Sequence, residues 1–250
     1  MLEKPQVPWD GSFVDWVRSQ VAGEGYWFQR MDLGPGLTTP GWSDPQAEKL
    51  PYFGLPERMQ GMRVLDVGCA EGFFSFEAER RGAKEVIAID VLPDSIRRFG
   101  ICRSALAARA TAYLCNVYDL GPKAFGTFDL VFFFGVLYHL RNPLLALERV
   151  FSVCAGPLLL QTATHEVAGA EQVPLARFHP SGIESGPPGS GLFDPTVFWL
   201  PNAECARAMT SHVGFEAIET VTSEAGLVLR AQSPRPAQGR PPDESKAPWS

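Results

Sequence analysis

Asp66, Glu71, Asp90, Tyr138 and His139 are the residues whose type and setting in this sequence could do chemistry. The first two stand in Arg63–Phe76, RVLDVGCAEGFFSF, an apolar run followed by a tight loop of small residues and a helix start. Gly68, Ala70 and Gly72 space that loop as G-x-A-x-G, and Ser75 stands where the dinucleotide pattern G-x-G-x-x-G wants its third small residue. Dinucleotide sites set backbone N–H groups and a helix N-terminus against a pyrophosphate. Carboxylates beside it would repel that group by about 1 to 4 kcal/mol for each pair roughly 4 Å apart. No Lys or Arg lies between Arg63 and Arg80. The loop therefore reads as a cradle for a cationic ligand, its alternative being a tight strand-to-helix turn carrying surface acids.

Asp90 closes a second apolar run, Lys84-Glu-Val-Ile-Ala-Ile-Asp90, eighteen residues beyond Gly72. A second parallel strand ends at the same sheet edge as the first, so a carboxylate there can take ribose hydroxyls. Its other reading is a helix N-cap. A nucleoside carrying a sulfonium and an α-ammonium group, S-adenosylmethionine (SAM), fits both features, with Asp66, Gly68, Cys69, Ala70, Gly72, Asp90 and Val91 as expected contacts. Asn116, Val117 and Tyr118 follow a third strand and would frame the adenine, the Asn116 amide offering both donor and acceptor.

The segment Phe132-Phe-Phe-Gly-Val-Leu-Tyr138-His139 leaves a fourth strand at its carboxyl end, where open α/β sheets bind their ligands. Tyr138 reads as a cofactor contact through its ring face or hydroxyl near the cation. His139 is the available general base, and its alternative is to orient its own loop by hydrogen bonding. Trp27, Trp42 and Trp199 are candidates for an acceptor pocket or for packing. His165, Glu166 and His179 lack tight spacing and cysteine partners, so no metal site is expected.

These residues need elements to hold them. Strands are expected at Arg63 to Val67, Glu85 to Asp90, Ala112 to Cys115, Leu130 to Phe134, Leu158 to Thr162, Phe215 to Val221 and Gly226 to Ala231, mostly apolar without alternation. Helical spacing joins Ile96, Phe99, Cys102 and Leu106, then Leu144, Leu147, Phe151 and Cys154 behind Asn142-Pro143 as N-cap and N1. Asn202 caps a third helix, Ala203 to Val213, in which Cys205, Met209 and Val213 recur every four residues. The expected fold is α/β, a doubly wound, Rossmann-like seven-stranded sheet whose last two strands form an antiparallel hairpin edge. Residues 1–60 read as an N-terminal extension, 61–231 as the catalytic domain with 163–200 as a substrate loop or lid between strands 5 and 6, and 232–250 as a disordered tail.

With 250 residues, 45% apolar, and a net charge of −6, the chain is an ordinary globular protein with no global electrostatic footprint for nucleic acid. Arg97, Arg98, Arg103 and Arg109 read as a solvated helix face. Five scattered cysteines without a CxxC pair suggest neither disulfides nor zinc. The N-terminus shows no signal-peptide pattern, and the longest apolar run, Leu130 to Leu140, is too short to span a bilayer. A cytoplasmic location follows as the expectation; oligomeric state is left open.

The sequence resembles the class I SAM-dependent methyltransferases, and within them the family of the bacterial tRNA wobble-uridine (carboxymethoxyuridine-forming) enzyme. The matching residues are Thr39-Pro-Gly-Trp42, Val64-Leu-Asp-Val-Gly-Cys69, Phe134-Gly-Val-Leu-Tyr-His139 with Asn142-Pro143, and Phe198 to Pro201, within a span from about Tyr26 to Arg230. The resemblance implies cofactor contacts at Trp42, Gly68, Asp90, Val117, Tyr118, Phe134 and Tyr138. It also implies, for a carboxylated SAM, a lysine in the extension and an arginine near the last strand. Tyr26 to Trp42 holds no lysine, and Glu224-Ala225-Gly226 stands where the arginine would fall. The third implied partner, a tyrosine in the GVLYH segment, remains as Tyr138; a buried carboxylate that has lost two of three partners is costly, which favours ordinary SAM. The expected function is methyl transfer to a hydroxyl or amine of a small-molecule acceptor, with His139 and Tyr138 catalytic. The alternatives are tRNA wobble-uridine modification with SAM or carboxy-SAM, and a non-catalytic SAM-binding partner subunit.

Overall fold

The computed structural model describes residues 10–180, 183–184 and 193–235. Seven strands, β1 (Arg63–Val67), β2 (Glu85–Asp90), β3 (Thr111–Leu114), β4 (Leu130–Phe134), β5 (Pro157–Thr162), β6 (Glu216–Thr222) and β7 (Leu227–Gln232), form one sheet. Its order is β6-β7-β5-β4-β1-β2-β3. The pairs β1–β2, β2–β3 and β4–β5 are parallel, whereas β7 runs antiparallel to both β5 and β6. The Rossmann-like α/β fold with an antiparallel hairpin edge is as expected. β4 is apolar throughout and buried at all five positions, as a strand covered on both faces must be. β6, at the edge, has no buried residue.

Five longer helices accompany the strands: α1 (Gly11–Gly23), α2 (Phe73–Arg80), α3 (Pro93–Leu106), α4 (Pro143–Val153) and α5 (Ala203–His212). None of the described helices is long and apolar enough to cross a membrane. The described chain divides into two compact units, residues up to Pro51 with Leu55–Asn116, and Tyr52–Gly54 with those from Val117 onward.

In the first unit the extension is built around close backbone approach. A Cβ on Gly41 would lie 2.1 Å from the Gln29 carbonyl carbon, so only glycine fits the Thr39-Pro-Gly-Trp turn. Thr39 locks the same crossing: its hydroxyl donates to the Gln29 carbonyl at 2.7 Å and accepts from the Met31 N–H at 2.8 Å. Trp27 is buried, with Nε1 donating to the Val21 carbonyl at 3.1 Å, so it packs the extension instead of facing an acceptor.

In the second unit several boundaries differ from expectation. β6 and β7 each begin one residue later than expected, and Ala217, at φ +47°, sits in an irregular stretch of their register between Glu216 and Glu219. In the first unit β3 is likewise displaced by one residue, leaving Cys115 outside the strand, its N–H bound to the Asp90 carbonyl. Asn142 occupies the N-cap of α4 but makes no side-chain capping bond. Its backbone N–H instead donates to the Tyr118 hydroxyl at 3.0 Å.

Residues 163–180 and 193–200 are partly ordered by pairing. Ala176–Phe178 runs antiparallel to Trp199–Pro201, and Ile183–Glu184 to Phe193–Asp194. Asn202 is wholly buried, caps α5 through Cys205 N–H, accepts Leu175 N–H, and donates to Val173 and Ala170. The glycines and prolines from 182 to 191 that suggested a lid, and the tail from 236, lie outside the described residues, as do residues 1–9. Before that tail, Ser233 is buried and Arg235 lies 4.1 Å over the Phe151 ring, so the packed chain extends past 231.

Candidate functional site

The loop after β1 turns sharply because Gly68, Ala70 and Gly72 all have left-handed backbone, at φ +74°, +49° and +97°. Gly72 is doubly constrained, since a Cβ would meet the Phe99 ring at 2.5 Å. Nearly all of the loop's donors are already partnered. The N–H groups of Gly68 and Cys69 bind the Ile89 carbonyl, Gly72 binds Cys69, and Phe73 binds the Gln29 side-chain carbonyl at 3.1 Å. Ala70 N–H donates to Asp90 Oδ2 at 3.0 Å. The start of α2 is thus closed to an anion by the protein's own acceptors, which removes the nest a pyrophosphate needs.

The acids reach this result by a route the spacing did not show. Asp66 lies buried under the loop and accepts from the Ser75 hydroxyl at 2.6 Å; burial pushes its carboxyl up to about 7. Glu71 has no exposed surface and accepts the backbone N–H groups of Phe28 and Gln29 at 2.9 and 3.0 Å, with Arg98 3.6 Å away. Burial raises its pKa against those bonds. Neither carboxylate is presented to a ligand, which corrects the reading of Asp66 as a direct cofactor contact and of Glu71 as a charge facing the cofactor. Cys69 is also buried, its thiol pushed well up by burial, so that position offers backbone and an inert side chain.

Asp90 ends β2, and its two oxygens accept one backbone N–H each, from Ala70 and, at 2.9 Å, from Leu92. It is not the N-cap of α3, a position held by Leu92. Burial raises its pKa. The next side chains, Val91 and Leu92, are each 58% exposed, an apolar surface beside a carboxylate with acceptor capacity left over. Asn116 is exposed at the end of this unit. Trp42, also exposed, donates from Nε1 to the Tyr26 hydroxyl at 2.9 Å and meets Phe28 edge-on at 5.1 Å. Arg97 and Arg98 pair with Glu24, and Arg109, which lies beyond the end of α3 and not on its face, pairs with Glu79, so three of the four arginines are neutralised.

In the second unit Val117 is buried in the turn Val117–Asp119, and the Tyr118 hydroxyl is engaged by Asn142. Phe134 packs against Phe53 and Phe132, at centroid separations of 4.7 and 5.2 Å. Gly135, at φ +71°, leaves room for the Tyr138 hydroxyl, 3.5 Å from where a Cβ would sit. Tyr138 and His139 lie in the turn Leu137–His139 with ring centroids 4.2 Å apart. Burial pushes the Tyr138 phenol up to about 12, so it stays a neutral hydrogen-bonding group and not a phenolate base. His139 Nδ1 lies 2.9 Å from the Thr196 hydroxyl, which donates to Asp194 at 2.5 Å; the second Asp194 oxygen is 3.9 Å from the ring. Burial lowers the His139 pKa and the Asp194 charge partly restores it, leaving a neutral imidazole with an oriented ring.

Residues 59–175 match the family model described as a methyltransferase domain. A tRNA U34 carboxymethyltransferase from Edwardsiella ictaluri is 34% identical over 119 residues, 47% of this chain and 36% of the relative. One from Ectopseudomonas mendocina is 29% identical over 166 residues, 65% of this chain and 48% of the relative. The chain thus spans less than half the length of these relatives. Among solved structures, the N-terminal domain of EvdMO1, determined in the presence of SAH and D-fucose, superposes with a TM-score of 0.66 at 20% identity, covering 90% of this chain and all of that one. The strand order with its antiparallel β7 decides the architecture. The fold is that of the class I methyltransferases.

Within that methyltransferase fold, sequence reasoning missed Asp194 and Thr196, which stand 55 and 57 residues from His139 and carry no motif. It also missed a cavity of about 510 Å³ beside α4 and α5, lined in part by Leu137, Trp199, Cys205 and Met209. The four-residue recurrence of Cys205 and Met209 along the helix behind Asn202 is the signal in the sequence that marks this face. Glu166 accepts the Ala203 N–H at the start of α5, and no group of ligating side chains able to hold a metal occurs among the described residues.

Proposed function

We propose that this protein is a SAM-dependent methyltransferase acting on a hydroxyl or amine of a small molecule. The observation that carries the reading is the partnered loop of Gly68 to Phe73, which refuses an anion, beside the Asp90 carboxylate, which retains acceptors for ribose hydroxyls. The residues fit a nucleoside bearing a cationic amino-acid tail: Asp90 would hold the ribose, the exposed Val91 an adenine face, and the carbonyls at Gly68 to Gly72 the ammonium group. Asn116, Val117, Tyr118, Phe134, Trp42 and Tyr138 are assigned to the remaining contacts. When bound, SAM supplies an electrophilic methyl group on a sulfonium.

His139 takes the proton that the acceptor hydroxyl or amine gives up, because its lowered pKa keeps the imidazole neutral. Thr196 and Asp194 fix the ring. The neutral Tyr138 hydroxyl hydrogen-bonds without competing for that proton.

Isothermal calorimetry with SAM, carboxy-SAM and a nicotinamide dinucleotide tests the cofactor. SAM is expected to bind tightest; a preference for the dinucleotide would overturn the reading. The names of the curated relatives favour a second reading, modification of tRNA at the wobble uridine. Tighter carboxy-SAM binding together with tRNA retention on a filter at moderate salt would establish it. Tight SAM binding with no turnover on any acceptor would instead mark a non-catalytic subunit.

A further inference from the structure

The cavity of about 510 Å³ in the second unit has the size and the apolar wall of a small-molecule site. Leu137, Leu144, Leu145, Trp199 and Met209 are among its apolar lining, and Arg141 is the single charged residue in it. Among the described residues no carboxylate pairs with Arg141; its guanidinium lies over the Phe198 ring, 5.2 Å from the centroid. Trp199 donates its Nε1 to the Arg141 carbonyl at 3.3 Å, which ties the indole's polar edge to backbone. Leu144 and Leu145 stay 40% and 36% exposed at the start of α4, an arrangement that gains nothing from solvent. Leu137 opens the same turn that holds Tyr138 and His139.

We infer that this cavity receives the methyl acceptor, and that the acceptor is an aromatic small molecule carrying a carboxylate, its apolar body on Leu144, Trp199 and Met209 and its anion on Arg141. The inference rests on the methyltransferase reading for the word acceptor, but not for binding. One cation in an apolar wall suits one anionic group; a polynucleotide would need a row of them. An apolar cavity alone would take any greasy ligand, so the discriminating element is the Arg141 charge.

Fluorescence titration with a hydroxynaphthoate and its carboxamide, using the full chain, tests this. The acid is expected to bind about tenfold more tightly than the amide. Arg141→Gln should erase that preference while leaving amide affinity in place, and Met209→Trp should abolish binding of both with SAM affinity unchanged. Independently of any variant, the acid should slow alkylation of Cys205, the one cysteine of the five that is not buried. Equal affinity for acid and amide, or Cys205 alkylation indifferent to the probe, would overturn the site. If SAM fails to bind while the acid preference and Cys205 protection hold, the methyltransferase reading fails and the site stands. If SAM binds and turnover on the acid is no better than on the amide, the acceptor assignment fails alone.

Discussion

The carboxylate of Asp90 accepts the backbone N–H of Ala70 at 3.0 Å, tying the end of β2 to the turn after β1. The bond fixes one oxygen and orients the carboxylate's remaining lone pairs. Asp90→Asn should weaken SAM binding about tenfold, and Asp90→Ala about a hundredfold, the range expected for hydrogen bonds to a charged group. Calorimetry reads the loss, and unchanged affinity in Asp90→Ala would contradict the ribose assignment.

His139 should act as a base whose acid limb lies below the ordinary histidine value, since burial lowers its pKa. The Asp194 charge favours the protonated ring, so removing it lowers the pKa further. Asp194→Asn is therefore expected to move the acid limb of the kcat profile to lower pH, whereas Thr196→Val should reduce kcat by about tenfold through a mobile imidazole. A profile that Asp194→Asn leaves in place would show that the Asp194 charge does not act on the His139 ring.

Glu71 ties the extension to the loop through Phe28 and Gln29. Glu71→Ala leaves two buried donors and Arg98 without that acceptor, and is expected to cost about 3 kcal/mol in urea unfolding. Limited proteolysis should then cut first between Tyr26 and Trp42. Cleavage elsewhere, with an unaltered extension, would show that Glu71 does not hold it.

Asp66 gives a pH signature in stability. Its folded pKa of about 7 lies above the ordinary 3.8, so the native state binds its proton more tightly than the unfolded chain does. The associated stabilisation is complete below pH ~4 and is lost as pH rises through about 7. Asp66→Asn removes this titration, and its melting temperature should vary less across that interval than that of the parent protein. Parallel curves for the two proteins would show that Asp66 is not the group responsible.

Much of the fold was legible because buried parallel strands leave uninterrupted apolar runs: Arg63–Val67, Glu85–Asp90 and Leu130–Phe134 have the boundaries that their hydropathy predicts. The hairpin strands β6 and β7 begin one residue later than expected, beside an irregular register near Ala217 that leaves no mark in the composition. The carboxylates of the loop were visible, but their direction was not. Charge type suggested Asp66 and Glu71 facing a cation, whereas the structure turns both inward to satisfy Ser75 and the extension backbone.

The sequence by itself determined the sheet, the loop after β1 and the acid at the end of β2, because each depends on residues within one local unit of chain. Tertiary structure decided what those residues touch. Thr196 and Asp194 reach His139 only through the return of the chain between β5 and β6, and Cys205 and Met209 line a cavity together with Trp199 and Leu144, which come from other elements. Helical spacing records that a stripe is apolar; whether protein or a ligand covers it is set by partners distant in sequence.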